Sequence, residues 1–180
     1  MIEIRIHGRG GQGAVTTGQL IAIASFLDGK FSQTFPMFGV ERAGAPVEAY
    51  VRISTKPINL RSQVYEPDIV LVLDPSLLKT VDVTKGLKPG GYIIVNSNKN
   101  ARELGVGNGY NVYTFDATKV ALDVIHKPIM NTPVLGAFAK ITRLITLGSL
   151  KKAVKERFKA KEVAEFNNKV IEKVYSQVKT

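Results

Sequence analysis

Gly8, Gly10 and Gly13 stand at the spacing GxGxxG, directly after the alternating segment Ile2–His7 and ahead of an apolar helix pattern that starts near Ala14. A glycine-rich turn in that setting is a phosphate cradle. One glycine makes a tight turn, one lets backbone N–H groups approach an anion, and one packs helix against sheet. The helix would aim the positive end of its dipole at the same place. Arg9 adds a cation and Gln12 an amide donor, so Gly8, Arg9, Gly10, Gly11, Gln12 and Gly13 form the first candidate binding site. The alternative for such a run is a plain chain reversal.

A nicotinamide dinucleotide would need more than the turn. It asks for an acidic residue at the end of the second strand, to hold ribose hydroxyls. The second strand here, Phe31–Phe35, closes on Pro36 without one. Asp28 falls at about the right count but precedes Gly29-Lys30, which reads as a helix terminus and a capping position. A Rossmann-like nucleotide-binding oxidoreductase is therefore the weaker alternative.

The segment Phe35–Val47 supplies the second candidate. It is long for a loop in a compact domain and too apolar for disorder. Glu41 and Arg42 are adjacent opposite charges flanked by Gly39 and Gly44. Arg42 offers a planar anion fork, or else the two charges pin the loop internally.

Composition excludes other chemistry. The chain has 180 residues, 44% of them hydrophobic, which suits a single domain over 1–180. It contains no cysteine, so it offers no thiolate for an iron–sulfur cluster, a disulfide or nucleophilic catalysis. His7 and His126 lie far apart and read as structural, so no metal site is expected. No apolar run reaches membrane-spanning length and the N-terminus enters a strand, so a cytoplasmic protein is expected.

The net charge is +10, and residues 151–180 carry nine Lys/Arg against four Glu. Val163, Phe166, Val170, Val174 and Val178 recur at helical spacing as one apolar stripe, with Lys161, Lys169, Lys173 and Lys179 largely outside it. That is a solvated basic face, with attraction of an acidic partner or anionic substrate as the sharper reading. No nucleic-acid module is present.

The elements that must position these residues alternate. Strands are read at 2–7, 31–35, 47–54, 68–74, 92–96 and 112–115, and helices at 14–27, 76–84, 117–126, 133–147, 149–158 and 162–178. Thr55-Lys56-Pro57 turns the 47–54 strand back into Ile58–Leu60 as an antiparallel edge hairpin. The expected fold is α/β: a doubly wound, mostly parallel sheet with that edge hairpin and C-terminal helices, binding ligands outside the carboxyl ends of its strands.

Three blocks carry a family resemblance: Gly8–Val15, Phe38–Val47 and Asn131–Ala137. In this order they resemble the gamma subunit of 2-oxoacid:ferredoxin oxidoreductases, especially the pyruvate or shared pyruvate/2-ketoisovalerate enzymes, over nearly the whole chain. Ala43 departs from the second arginine of many relatives. The resemblance implies oxidative decarboxylation of a 2-oxoacid with coenzyme A to acyl-coenzyme A and carbon dioxide, reducing ferredoxin. It implies alpha, beta and delta partner subunits in a hetero-oligomer. Thiamine diphosphate, Mg2+ and iron–sulfur clusters belong to the complex, and none is held by this chain, which also lacks the expected diphosphate motif. This subunit is expected to be inactive alone and to assist coenzyme A binding, with Arg42 beside the glycine turn. Glu41, Gly44, Asn131 and Thr132 would be interface or loop contacts. A purely structural assembly role is the alternative.

Overall fold

Alternation in β1 (Ile2–Arg9) sends Ile4 and Ile6 to one side of the sheet and Arg5 and His7 to the other; all four are buried. The computed structural model describes residues 1–37, 43–106 and 109–179. Its sheet has six strands in the order β2-β3-β1-β4-β5-β6, with β2 at Phe31–Met37, β3 at Pro46–Ser54, β4 at Ile69–Val72, β5 at Tyr92–Val95 and β6 at Asn111–Thr114. The ladders from β1 through β4 and β5 to β6 are parallel, whereas β3 runs antiparallel to both β1 and β2. The fold is thus α/β with an antiparallel edge pair.

That pair is not the hairpin read from sequence. β3 is flanked by β1 on one edge and β2 on the other, so no ladder position is left for Ile58–Leu60, which is irregular. β2 continues through Pro36 to Met37, which an edge strand tolerates because its outward side needs no donor.

The helices α1 (Ala14–Leu27), α3 (Ala117–Ile125), α4 (Val134–Thr142), α5 (Leu147–Arg157) and α6 (Lys161–Gln177) contribute to one core on one face of the sheet. Ile4, Ile6, Val51, Leu71 and Ile94 from the strands meet Leu20, Leu135, Phe138 and Val170 there. The expected helix at 133–147 ends early, at Thr142, because Arg143 takes a left-handed conformation (φ 55°), and the expected helix at 149–158 begins at Leu147 with Thr146 as its cap.

On the other face, Val70, Val72, Ile93 and Val95 pack under Val83 and Leu87. The cover is a 3-10 turn at Pro75–Lys79, not the expected helix at 76–84. Asp82 accepts from both the N–H and the hydroxyl of Thr84, a local turn that competes with helix continuation. Short α2 (Ala101–Leu104) follows, a helix not expected from sequence although Asn100 and Glu103 form a capping box.

The α6 stripe is also rotated from expectation. Val170, Val174 and Val178 are buried, but Val163 and Phe166 are exposed, and Ala164, Asn167 and Ile171 point inward instead. Asn167 explains the rotation: its carboxamide oxygen accepts from the buried Thr132 hydroxyl. Among the described residues no helix is long and apolar enough to cross a membrane.

Candidate functional site

The first and third sequence blocks meet in space, and the described end of the second joins them. Gly8 is the close-packing glycine: a Cβ there would lie 3.2 Å from Ala14 Cβ and 3.3 Å from Leu73 Cδ1. Gly11 and Gly13 carry the left-handed conformations of the turn (φ 89° and 82°), which L side chains rarely adopt. A Cβ at Gly13 would also collide with the Asn131 side chain, while the Asn131 carbonyl accepts from Thr17 Oγ1 at 3.1 Å. Asn131 thus braces the start of α1. Thr132 is turned inward to Asn167 and is 1% exposed, which makes it a packing residue of the loop.

Gly10 does not present its amide to a ligand. Its N–H donates to Ala45 O at 2.9 Å and its carbonyl accepts from Gly44 N at 3.2 Å, continuing the β1–β3 ladder into the loop. Gln12 is likewise committed: Oε1 accepts from the Arg9 amide at 2.7 Å, and Nε2 donates to Asp74 Oδ2 at 2.8 Å. The Arg9 guanidinium ties the turn to two other segments, donating from Nε to Asp74 (3.1 Å), from Nη2 to Ser76 Oγ (2.8 Å) and from Nη1 to Gly44 O (3.0 Å). Burial works against the Asp74 charge. Hydrogen bonds from Ser76 and Gln12 and the nearby Arg9 outweigh it and hold the carboxyl below its usual range.

What remains open is the backbone. The N–H groups of Gly11 and Gly13 and of the first helical turn, Ala14, Val15 and Thr16, make no hydrogen bond to a described residue, and no side chain caps α1. Gly11, Gly13, Ala14 and Val15 line a cleft of about 410 Å3, together with Arg9, Met37, Val47 and Glu48 among others. Glu41 and Arg42 lie outside the described residues.

Asp28 is spent elsewhere. Its carboxylate accepts from Thr146 N (2.7 Å), Thr146 Oγ1 (2.8 Å) and Ser149 Oγ (2.6 Å), tying the end of α1 to the start of α5. The nicotinamide reading also lacks its strand order, because the neighbour of β1 on that side is antiparallel β3.

Residues 3–177 match the family model described as pyruvate ferredoxin/flavodoxin oxidoreductase. The chain belongs to this family. A Thermococcus kodakarensis protein named pyruvate/ketoisovalerate oxidoreductases common subunit gamma is 52% identical over 181 residues, 98% of this chain and 97% of that one. The crystal structure of a pyruvate oxidoreductase subunit from Thermotoga maritima superposes with a TM-score of 0.85 at 36% identity, covering 99% of this chain and 97% of the other. A 2-oxoglutarate:ferredoxin oxidoreductase from Magnetococcus marinus, solved with 2-oxoglutarate, coenzyme A and succinyl-CoA, shares the fold (TM-score 0.80, 22% identity) over 99% of this chain and 31% of that chain.

This gamma subunit is one chain of a multi-subunit oxidoreductase, and its donor set does not fit an iron–sulfur cluster, since none of its 180 residues is cysteine. Glu48 is the site residue that sequence reasoning missed. It sits in the alternating run Val47-Glu-Ala-Tyr-Val51, where a polar residue reads as facing solvent. The available signal was the flanking Tyr50 and Arg52, too many polar groups for a bare sheet face.

Proposed function

We propose that this subunit forms the coenzyme A side of the assembled 2-oxoacid:ferredoxin oxidoreductase, while other subunits carry out decarboxylation and electron transfer. The supporting observation is the row of amides at Gly11, Gly13, Ala14 and Val15, residues that line the cleft and whose N–H groups bond to no described residue. Coenzyme A brings a pyrophosphate and a 3′-phosphate, and aligned backbone N–H groups at a helix N-terminus suit such groups. Arg9 and Gln12 hold the turn in shape and Arg9 adds positive charge beside it. Gly8, Gly10, Gly44 and Asn131 fix the backbone, and Arg42 is the further cation that the sequence offers to the same anion, with Glu41 next to it in the chain. The presence of coenzyme A in the M. marinus enzyme, which shares this fold, agrees with the reading.

In this reading the chain is inactive alone and works as one domain over 1–180 in the cytoplasm. Alpha, beta and delta subunits supply thiamine diphosphate, Mg2+ and the clusters, the substrate is pyruvate or a close 2-oxoacid, and ferredoxin is reduced by the complex.

Gly11 is the residue to test, because a Cβ there meets no atom of the described residues within 4 Å. Asn and Asp tolerate left-handed backbone best among L residues and share one shape, so Gly11→Asn controls for strain while Gly11→Asp adds charge. In the assembled complex, Gly11→Asp is expected to raise half-saturating coenzyme A at least tenfold over Gly11→Asn. The thiamine-dependent half-reaction should be unchanged. Equal coenzyme A dependence in the two variants, with the complex intact, would overturn the proposal and favour an assembly role.

A further inference from the structure

The cleft holds a carboxylate where a phosphate cradle alone would want none. Glu48 of β3 lies opposite His7 of β1 in the antiparallel register, one residue before Gly8, and lines the cleft beside the glycine turn. Its side chain is held from behind. Tyr50 Oη donates to Glu48 Oε2 at 2.6 Å, and His7 Nδ1 lies 3.5 Å from Oε1.

The direction of the second contact follows from the far side of the imidazole. Arg5 Nε donates to His7 Nε2 at 3.0 Å, so Nε2 is the acceptor and the ring proton sits on Nδ1, facing Glu48. Burial, helped by Arg5 and opposed by Glu48, lowers the His7 pKa to about 4, so the ring is neutral near pH 7. Arg5 itself is fixed by the carbonyls of Val83 and Lys85. The carboxylate is therefore oriented by the Tyr50 hydroxyl, with the neutral His7 ring facing it from 3.5 Å, both on rigid strands. It has acceptor positions to spare, because an ionised carboxylate offers about four lone-pair sites.

Topology says what those positions can take. In a dinucleotide-binding sheet the acid that binds the ribose 2′-hydroxyl ends the strand next to β1, beside the glycine turn. Here β3 takes that neighbouring place in reverse direction, so the acid falls at its start. The end of β2 carries Pro36 and Met37 and no acid. The fold puts Glu48 at the equivalent spot.

We propose that Glu48 accepts a hydrogen bond from the ribose 2′-hydroxyl of the nucleotide whose phosphates rest on the amides of Gly11 and Gly13–Val15; the inference rests on the coenzyme A reading. The 2′-hydroxyl is the one ribose hydroxyl of coenzyme A that the 3′-phosphate leaves free. Tyr50 and His7 are positioning residues for this contact.

The test is a ligand-by-protein cycle on the assembled holoenzyme, comparing coenzyme A with 2′-deoxy-coenzyme A in wild type and in Glu48→Gln. A hydrogen bond to a charged acceptor predicts that the deoxy analogue raises half-saturation about tenfold in wild type, with kcat within about twofold. In Glu48→Gln the two ligands should differ by less than about threefold. Wild type that does not distinguish the ligands, or a variant that distinguishes them as well as wild type, overturns the inference. Should Glu48→Gln fail to assemble, the wild-type comparison still decides against the proposal if it shows no discrimination, and Glu48→Asp completes the cycle. The two readings fail separately: if Gly11→Asp leaves coenzyme A dependence at the Gly11→Asn level, the coenzyme A reading falls, whereas loss of discrimination alone removes only Glu48.

Discussion

Over the β1–β3 pair, the two faces of the sheet solve the same burial problem with opposite chemistry. On the helix-covered face, Ile4, Ile6, Val51 and Leu71 join one apolar core. On the other face of the same β1–β3 pair, Arg5, His7 and Arg52 are 6%, 2% and 1% exposed, yet polar. Such groups survive burial only when bonded. Arg52 donates from Nε to Glu3 (2.8 Å) and from Nη2 to Gln63 O (3.1 Å), and its guanidinium lies 5.4 Å from the centre of the Phe35 ring. The apolar face tolerates any side chain of suitable shape, whereas the polar face fixes particular atoms. The Arg5–His7–Glu48 chain ends at the cleft, so the polar face is the one that can aim a functional group.

The comparison is broken most directly at Arg52. Arg52→Ala strands the Glu3 carboxylate against a dry face and is expected to cost about 3 to 5 kcal/mol of unfolding free energy. Urea unfolding of the isolated subunit measures it, and a loss below about 1 kcal/mol would mean that the polar layer contributes no more than a surface.

A second expected outcome concerns pH. The folded His7 pKa is about 4 against an ordinary 6.5, so the unfolded chain takes up its proton first as pH falls. Stability should then drop from about pH 6.5 to about pH 4, by a few kcal/mol in all at roughly 1.4 kcal/mol per unit. The carboxyls of Asp28 and Asp74, held below 3.8, lose their contribution only at lower pH, as they protonate. Urea midpoints at pH 7, 5.5 and 4.5 check the window, and His7→Gln should flatten it.

The smallest effect is expected on the helical side, where one carboxylate ties α1 to α5. Asp28→Asn keeps one acceptor oxygen but loses the charge that three donors share, for a cost of about 1 kcal/mol. A shift in the thermal midpoint with unchanged coenzyme A dependence would confirm that Asp28 has no ligand role.

Much of this was legible in the residues alone. The glycine spacing after an alternating strand, the apolar helix behind it and the buried run at Ile69–Val72 are local signals, and local sterics and periodicity decide them. The missing cysteines bounded the chemistry without any structure, and the three motif blocks pointed to the family that the comparisons show. The sequence could not say which members of Gly8–Gly13 would be free, because Gly10, Arg9 and Gln12 are satisfied by Ala45, Gly44, Asp74 and Ser76, partners 34 or more residues away. Nor could it rotate α6, whose facing depends on Thr132 reaching Asn167. Sheet order is the clearest case. Alternation in Val47–Ser54 is the same whether β3 pairs with β1 or with Ile58–Leu60, and only the long-range ladder to β1 sets Glu48 beside the turn. Period and composition are properties of a segment, whereas the partner of a hydrogen bond is a property of the whole folded chain.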